Sequence, residues 1–201
     1  ETVSINKSIN VFAAGNYSDT VLEFTSSNSP IFTIFEQNFD QNNIVNVTIK
    51  GFKFRNSNNQ LNDPLAIRIE RAAFASIQKC WFENIRRGFS TYYGYYHVIN
   101  SVFKDVEYLT FNDAGFEDDA RLPKIINCTI YNSYSITNSG ANIYNKIYNS
   151  IIVSDVNKTK SYFNGSRPLL DKVIIDDTPN TISGSVFSTV SNVNAIHFND
   201  L

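Results

Sequence analysis

Apolar and polar positions along this chain fall into an eight-residue phrase that recurs seven times. It stands at 49–56 (IKGFKFRN), 77–84 (IQKCWFEN), 98–105 (VINSVFKD), 125–132 (IINCTIYN), 147–154 (IYNSIIVS), 170–177 (LDKVIIDD) and 193–200 (VNAIHFND). The steps between copies are 28, 21, 27, 22, 23 and 23 residues. The first position is always Ile, Val or Leu, and the sixth is always Phe or Ile. The fourth is apolar or small: Phe52, Cys80, Ser101, Cys128, Ser150, Val173, Ile196. These three positions are predicted to point inward. The gap from first to fourth breaks strict alternation, while the strand period of two resumes from fourth to sixth. A bend is therefore predicted at the second and third positions. The third holds Gly51, Asn100, Asn127 and Asn149 among its seven residues, types that tolerate the left-handed backbone of a tight bend. The eighth is Asn, Asp or Ser throughout, which predicts a second turn closed by side chain–backbone bonds.

Strand, bend, strand and turn, repeated with a period in the twenties, predict a solenoid of stacked β coils. A helical solenoid would need stripes at a 3.6-residue period and runs of Ala, Leu, Glu and Lys. The chain is instead rich in Ile, Val, Phe, Tyr, Thr and Asn. Residues 1–45 lack a clean phrase and read as short strands at Thr2–Ile5, Ile9–Ala13, Thr20–Phe24 and Ile31–Phe35. They are expected to form the first one or two coils and to plug that end, with 46–201 as the repeating coils of one domain spanning 1–201. A third strand per coil is predicted at Leu65–Ile69, with Ala66 and Arg68 on the side opposite Ile67 and Ile69. Its equivalents are Phe89–Tyr93 and Leu109–Asn112. Polar loops fall at 57–64, 113–124 and 155–168.

The phrase resembles the repeats of the right-handed parallel β-helix superfamily that includes pectin lyases, chondroitinase B and alginate lyases. The resemblance covers about residues 45–201, and the run GNYSDTVLEFTSSNSP resembles the opening coil of many secreted β-helix proteins. It implies an all-β fold, a single right-handed parallel β-helix of about eight coils. It implies no catalytic residue, because no lyase motif is present.

Composition narrows the function classes. With 201 residues, 42% apolar and 14% aromatic, one domain with a sizeable core is expected. A net charge of −2 argues against a nucleic-acid partner. No stretch approaches 18 apolar residues, so no membrane span is expected. There is neither a basic-then-apolar leader nor any Met, and a mature or trimmed form is expected. The Asn, Ser, Thr and Tyr content points to an extracellular or cell-surface protein. Candidate glycosylation sites are Asn6, Asn16, Asn46, Asn127, Asn157 and Asn164. Cys80 and Cys128 share the fourth position two coils apart, about 9.6 Å at strand spacing. A disulfide needs Cα atoms within about 7 Å, so two buried free thiols are predicted.

The outward positions change from end to end. They are mostly polar in the first and last copies. In the middle they read Ile99, Ile126, Tyr148, Val102, Ile151, Ile174, Tyr131 and Val153. Stacked in register, these would form an apolar patch of a kind monomers seldom expose unused. A contact with another copy is expected, against the alternative that a loop or the N-terminal segment covers it. The last phrase ends one residue before the chain does, leaving Ile196 and Phe198 uncovered from below. Either the chain is a fragment or that edge pairs with the start of another molecule, a contact that propagates into a filament.

Candidate chemistry is sparse. A lyase would draw on Arg68, Arg71, Arg86, Arg87, Lys124 and His97, with Asp113, Glu117, Asp118 and Asp119 as oxygen donors for Ca²⁺. The acidic residues read better as solvated loop charges. No cofactor or metal site is implied. Trp81, Tyr92, Tyr93, Tyr95 and Tyr96 supply aromatic faces for sugar stacking. The leading expectation is a non-enzymatic extracellular structural protein that self-associates, end to end, into a fibre. A carbohydrate-active β-helix, cleaving or binding polysaccharide, is the alternative, and an adhesin or receptor-binding fragment a further one.

Overall fold

A computed structural model describes residues 1–15, 19–24, 29–38, 43–57, 63–114, 123–133, 135–139, 145–153, 163–164, 169–175 and 186–192; the side chains of 111–114, 135, 137–139, 163–164 and 186–192 are outside the description. The described residues are all-β, without helices. The first triplet of strands is β1 (Val3–Ile5), β2 (Ile9–Phe12) and β3 (Val21–Glu23), and the second is β4 (Phe32–Phe35), β5 (Val45–Lys50) and β6 (Lys53–Arg55). The third is β7 (Leu65–Glu70), β8 (Ala73–Gln78) and β9 (Trp81–Glu83), followed by β10 (Arg87–Tyr92), β11 (Tyr95–Ile99) and β12 (Val102–Lys104). The fifth is β13 (Tyr108–Ala114), β14 (Lys124–Ile126) and β15 (Thr129–Tyr131), and the sixth β16 (Ser135–Ser139), β17 (Lys146–Tyr148) and β18 (Ile151–Val153). Then come β19 (Phe163–Asn164), β20 (Leu169–Ile175) and β21 (Val186–Asn192).

The chain returns to each sheet at every third strand. One sheet has the order β1-β4-β7-β10-β13-β16-β19. The other descends β2-β5-β8-β11-β14-β17-β20 and climbs back through β18-β15-β12-β9-β6-β3, with β21 on β20. All strand–strand pairings are parallel. This stacking is compatible with a β-helix. The N-terminal strands stand where the sequence predicts them and pair directly into the stack: Val11 with Ile49, and Leu22 with Phe54.

The phrase is the corner between the two legs of the larger sheet. Its first, fourth and sixth positions are buried in every described copy, from Ile49, Phe52 and Phe54 to Leu170, Val173 and Ile175. The third residue takes a positive φ in six copies: Gly51 (84°), Lys79 (51°), Asn100 (52°), Asn127 (53°), Asn149 (47°) and Lys172 (53°). That turn reverses the direction of backbone hydrogen bonding along the stack. The third amide donates forward, as Lys79 N does to Ile99 O, and the fifth donates back, as Val102 N does to Cys80 O. Asn84, Asp105 and Asn132, at the eighth position, also have positive φ, whereas Asn56 does not.

The sixth position builds a column of rings. Phe54 stacks on Phe82 at 4.7 Å with planes 3° apart, and Phe82 on Phe103 at 4.7 Å and 6°. That distance is the spacing of hydrogen-bonded strands, so side chains and backbone share one repeat. Phe89 meets Phe82 and Phe103 edge-on across the core. From Ile130 through Ile152 to Ile175 the column is aliphatic. Ser133 and Asn145 are fully buried on that side, and neither side chain has a hydrogen-bond partner among the described residues. Alternation fails at the start of β7, where Ala66 is buried along with Leu65 and Ile67 rather than facing away from the core.

Candidate functional site

The outward columns of the phrase are in register. In the second-position column Gln78 neighbours Ile99, Ile99 neighbours Ile126, and Ile126 neighbours Tyr148. In the fifth, Val102, Thr129, Ile151 and Ile174 follow one another. In the seventh, Tyr131 neighbours Val153. Ile99, Val102, Ile126, Tyr131, Tyr148, Ile151 and Ile174 are half-buried, and Val153 is buried. The sequence places Val153 outward, and its burial departs from the rest of the strip. Ile196 and Phe198 lie outside the described residues.

The early coils present charge on the same leg. Arg55 pairs with Glu23 at 2.5 Å, and Lys53 reaches Glu83 at 2.6 Å. Lys104 stands 3.9 Å from the other Glu83 oxygen. The Lys53 ammonium also lies 5.4 Å from the centre of the Trp81 ring. Trp81 is therefore half-buried under a lysine rather than a bare platform.

The aromatic cluster divides. Tyr92 is exposed and Tyr93 packs against it edge-on, with ring centres 4.9 Å apart. Tyr95 lies over Phe74. Tyr96 belongs to the core instead: it is fully buried and stacks on Phe89 at 5.1 Å. Burial pushes its phenol well up, and Thr110 offsets part of that shift. The expectation that Tyr96 stacks on a sugar is corrected by this placement. Its neighbour His97 faces the other way, against Phe74 at 4.9 Å. Its Nε2 is buried without a hydrogen-bond partner among the described residues. Burial, and then the charge of neighbouring Lys124, lower its pKa to about 4.

Among the described lyase-type residues, only Arg86 and Arg87 form ion pairs with a common partner, Asp63. Arg68 lies 3.8 Å from Glu70. Arg86 pairs with Glu107 at 3.1 Å, and Arg87 with Asp63 through Nε at 2.8 Å. Only His97 and Lys124 are strand neighbours. Asp113 is described in its backbone alone, and 117–119 lie outside the described residues. No group of three or more His, Cys, Asp or Glu capable of holding a metal occurs among the described residues. No described helix is long and apolar enough to cross a membrane.

Cys80 and Cys128 are buried free thiols, as their spacing predicts. Burial raises the Cys80 pKa to about 11 and that of Cys128 to about 12. Of the candidate glycosylation sites, Asn6, Asn46 and Asn127 are exposed. Asn164 lies on β19 with its side chain undescribed, and Asn16 and Asn157 fall outside the described residues.

One feature escapes the sequence. A groove of about 630 Å³ climbs the corner, lined by Phe12, Lys50, Gly51, Lys79, Asn100 and Val102, with Ala13, Gly15 and Cys80. Lys50, Gly51, Lys79, Cys80, Asn100 and Val102 belong to the phrase, while Phe12, Ala13 and Gly15 precede its first copy, so the lining is gathered from four successive triplets. The signal available was Gly51, the only glycine at a third position.

No protein-family model matches the chain, and neither a curated protein nor a solved structure matches it.

Proposed function

We propose that the chain closes into a right-handed parallel β-helix and serves as a non-enzymatic structural protein, associating with copies of itself end to end. The first triplet carries this reading. Among the described strands, β1, β2 and β3 all stand at sheet edges. In that layer Ile5 and Phe24 are buried, but Ile9, Val11 and Leu22 are only partly so, whereas their neighbours in the next triplet, Val47, Ile49 and Phe54, are closed off. A strand edge over partly open apolar side chains is the surface that β-augmentation uses. Its occupant in this reading is another copy of this chain. The half-buried strip around Ile126 and Ile151 supplies lateral contact between the resulting filaments. An extracellular or cell-surface location accompanies this role, with Asn6, Asn46 and Asn127 open to glycosylation.

Sizing and negative-stain imaging of the isolated chain test the reading. Filaments or concentration-dependent oligomers are the expected result, and a stable monodisperse monomer sinks it. A polysaccharide-binding role is favoured by one observation, the exposed Tyr92 at the end of β10 with the half-buried Tyr93 edge-on against it. Polysaccharide affinity lost in Tyr92→Ala, with the fold intact, would support that role in place of the structural one.

A further inference from the structure

The corner groove combines a chemistry that packing does not require. Phe12 is 59% exposed at its rim. Lys50 and Lys79 both line it, both are exposed, and neither joins an ion pair among the described residues. No carboxylate is among its lining residues; the Asp19 carboxylate stands beside Gly15 at one end. Lys50 instead holds its ammonium 5.7 Å from the centre of the Phe12 ring. Two cations without an ion-pair partner among the described residues, beside an open aromatic face, form a site for a negative group attached to a flat apolar body.

Gly51 makes the space. Asn and Lys take positive φ at the third position of other copies, so side chains are tolerated at this bend. At Gly51 a Cβ would come 3.3 Å from the Cβ of Ala13 and 3.8 Å from the carbonyl oxygen of Gly15, two other residues of the lining, and so would take up room in the groove. Residues from four successive triplets line the groove, giving it a length of about 14 Å at strand spacing. Its volume of about 630 Å³ falls within the range of small-molecule pockets, roughly 300–1,000 Å³.

We propose that this groove is a binding site for a small organic anion with a flat ring, of the aromatic carboxylate class. The carboxylate sits between the Lys50 and Lys79 ammonium groups, with the Asn100 amide in reach of the same end. The ring lies along Phe12. The proposal stands apart from self-association, since it needs only the first four triplets of strands.

Titration of the full chain with 1-naphthoate, followed by amide NMR shifts, tests it, with 1-naphthalenemethanol as the neutral counterpart. Saturable shifts centred on Gly51, Lys79 and Asn100 are expected with naphthoate, and binding at least tenfold weaker with the alcohol. Lys50→Gln combined with Lys79→Gln should weaken naphthoate binding about tenfold or more, about 1.4 kcal/mol, with the circular dichroism spectrum unchanged. Gly51→Asn, which takes up that room with a residue other copies carry at this bend, should abolish binding while the rest of the amide spectrum is retained. An unmoved spectrum, equal binding of acid and alcohol, or indifference to the lysine substitutions overturns the proposal. So does affinity that falls as protein concentration rises, which would mean that a second copy occupies the groove.

Discussion

The backbone N–H of Cys80 donates to the hydroxyl of Ser101 one coil further on, at 3.2 Å. The same pair recurs two coils along, Cys128 to Ser150 at 3.1 Å. Each serine passes its own proton back to a main-chain carbonyl, Ser101 to Ile99 at 3.0 Å and Ser150 to Tyr148 at 2.7 Å. The backbone ladder passes over the fourth-position amide of these coils, because the left-handed residue before it reverses the direction of donation. The serine of the next coil takes up that buried amide. Ser101→Ala should therefore cost about 1–3 kcal/mol, the penalty of a buried donor left without an acceptor. Urea unfolding measures it, and Ser150→Ala should behave alike; losses below about 0.5 kcal/mol in both would show that the hydroxyls act only as filler.

The thiols of the same column should be inert. Burial holds Cys80 near a pKa of about 11 and Cys128 near about 12, so almost no thiolate exists at neutral pH. Incubation with dithionitrobenzoate should give no fast thiol under native conditions and two under denaturant. Intact mass should show no Cys80–Cys128 disulfide.

Phe82 is clamped between Phe54 and Phe103 and is fully buried. Phe82→Ala should destabilise the chain by about 3–5 kcal/mol. Glu83, next along the same strand but on the charged outer face, should tolerate Glu83→Gln at a cost within about 1 kcal/mol. Paired chemical denaturation curves compare the two, and a Glu83 effect as large as that of Phe82 would contradict the division between core and face.

Asn145 is buried, and neither end of its amide is hydrogen-bonded among the described residues. An apolar residue of similar size carries no such desolvation cost, so Asn145→Leu should raise stability by about 1–3 kcal/mol. A lower melting temperature in that variant would show that the amide is satisfied.

His97 sets a pH window. Its folded pKa of about 4 lies below the unfolded value of about 6.5. The unfolded chain therefore takes up the proton first, and the His97 contribution is fully present above about pH 6.5 and lost as pH falls towards about 4. Lys124 on one neighbouring strand opposes protonation, while Ser76 on the other carries no charge. An NMR titration of the His97 ring should give a midpoint near 4; a midpoint above 6 would mean that the ring is solvated.

The corner was legible because its chemistry is local. Gly51, Asn100, Asn127 and Asn149 announce the left-handed residue, and the apolar first, fourth and sixth positions announce which side faces in. Lys79 and Lys172 then take the same φ without any propensity for it, because the stacked coils above and below impose the bend. Tyr96 was readable by the same logic. It precedes the inward Val98 by two residues, so the strand period places it inside, whereas its company of tyrosines pointed outward. The alternation of cysteine and serine gave no such warning. Its meaning lies in a hydrogen bond between coils about twenty residues apart, and a single phrase contains only one end of it. The groove is further removed, since its lysines, phenylalanine and missing side chain meet only after four coils have stacked.

The change from rings to isoleucine after Phe103 gives the stack a direction. Each coil is held chiefly by its neighbours, so the aromatic half and the aliphatic half need not melt together. Pulled apart along its axis, the molecule should peel from the isoleucine side in small steps and stall when the front reaches Phe103. There, further extension must separate stacked rings and strands at once.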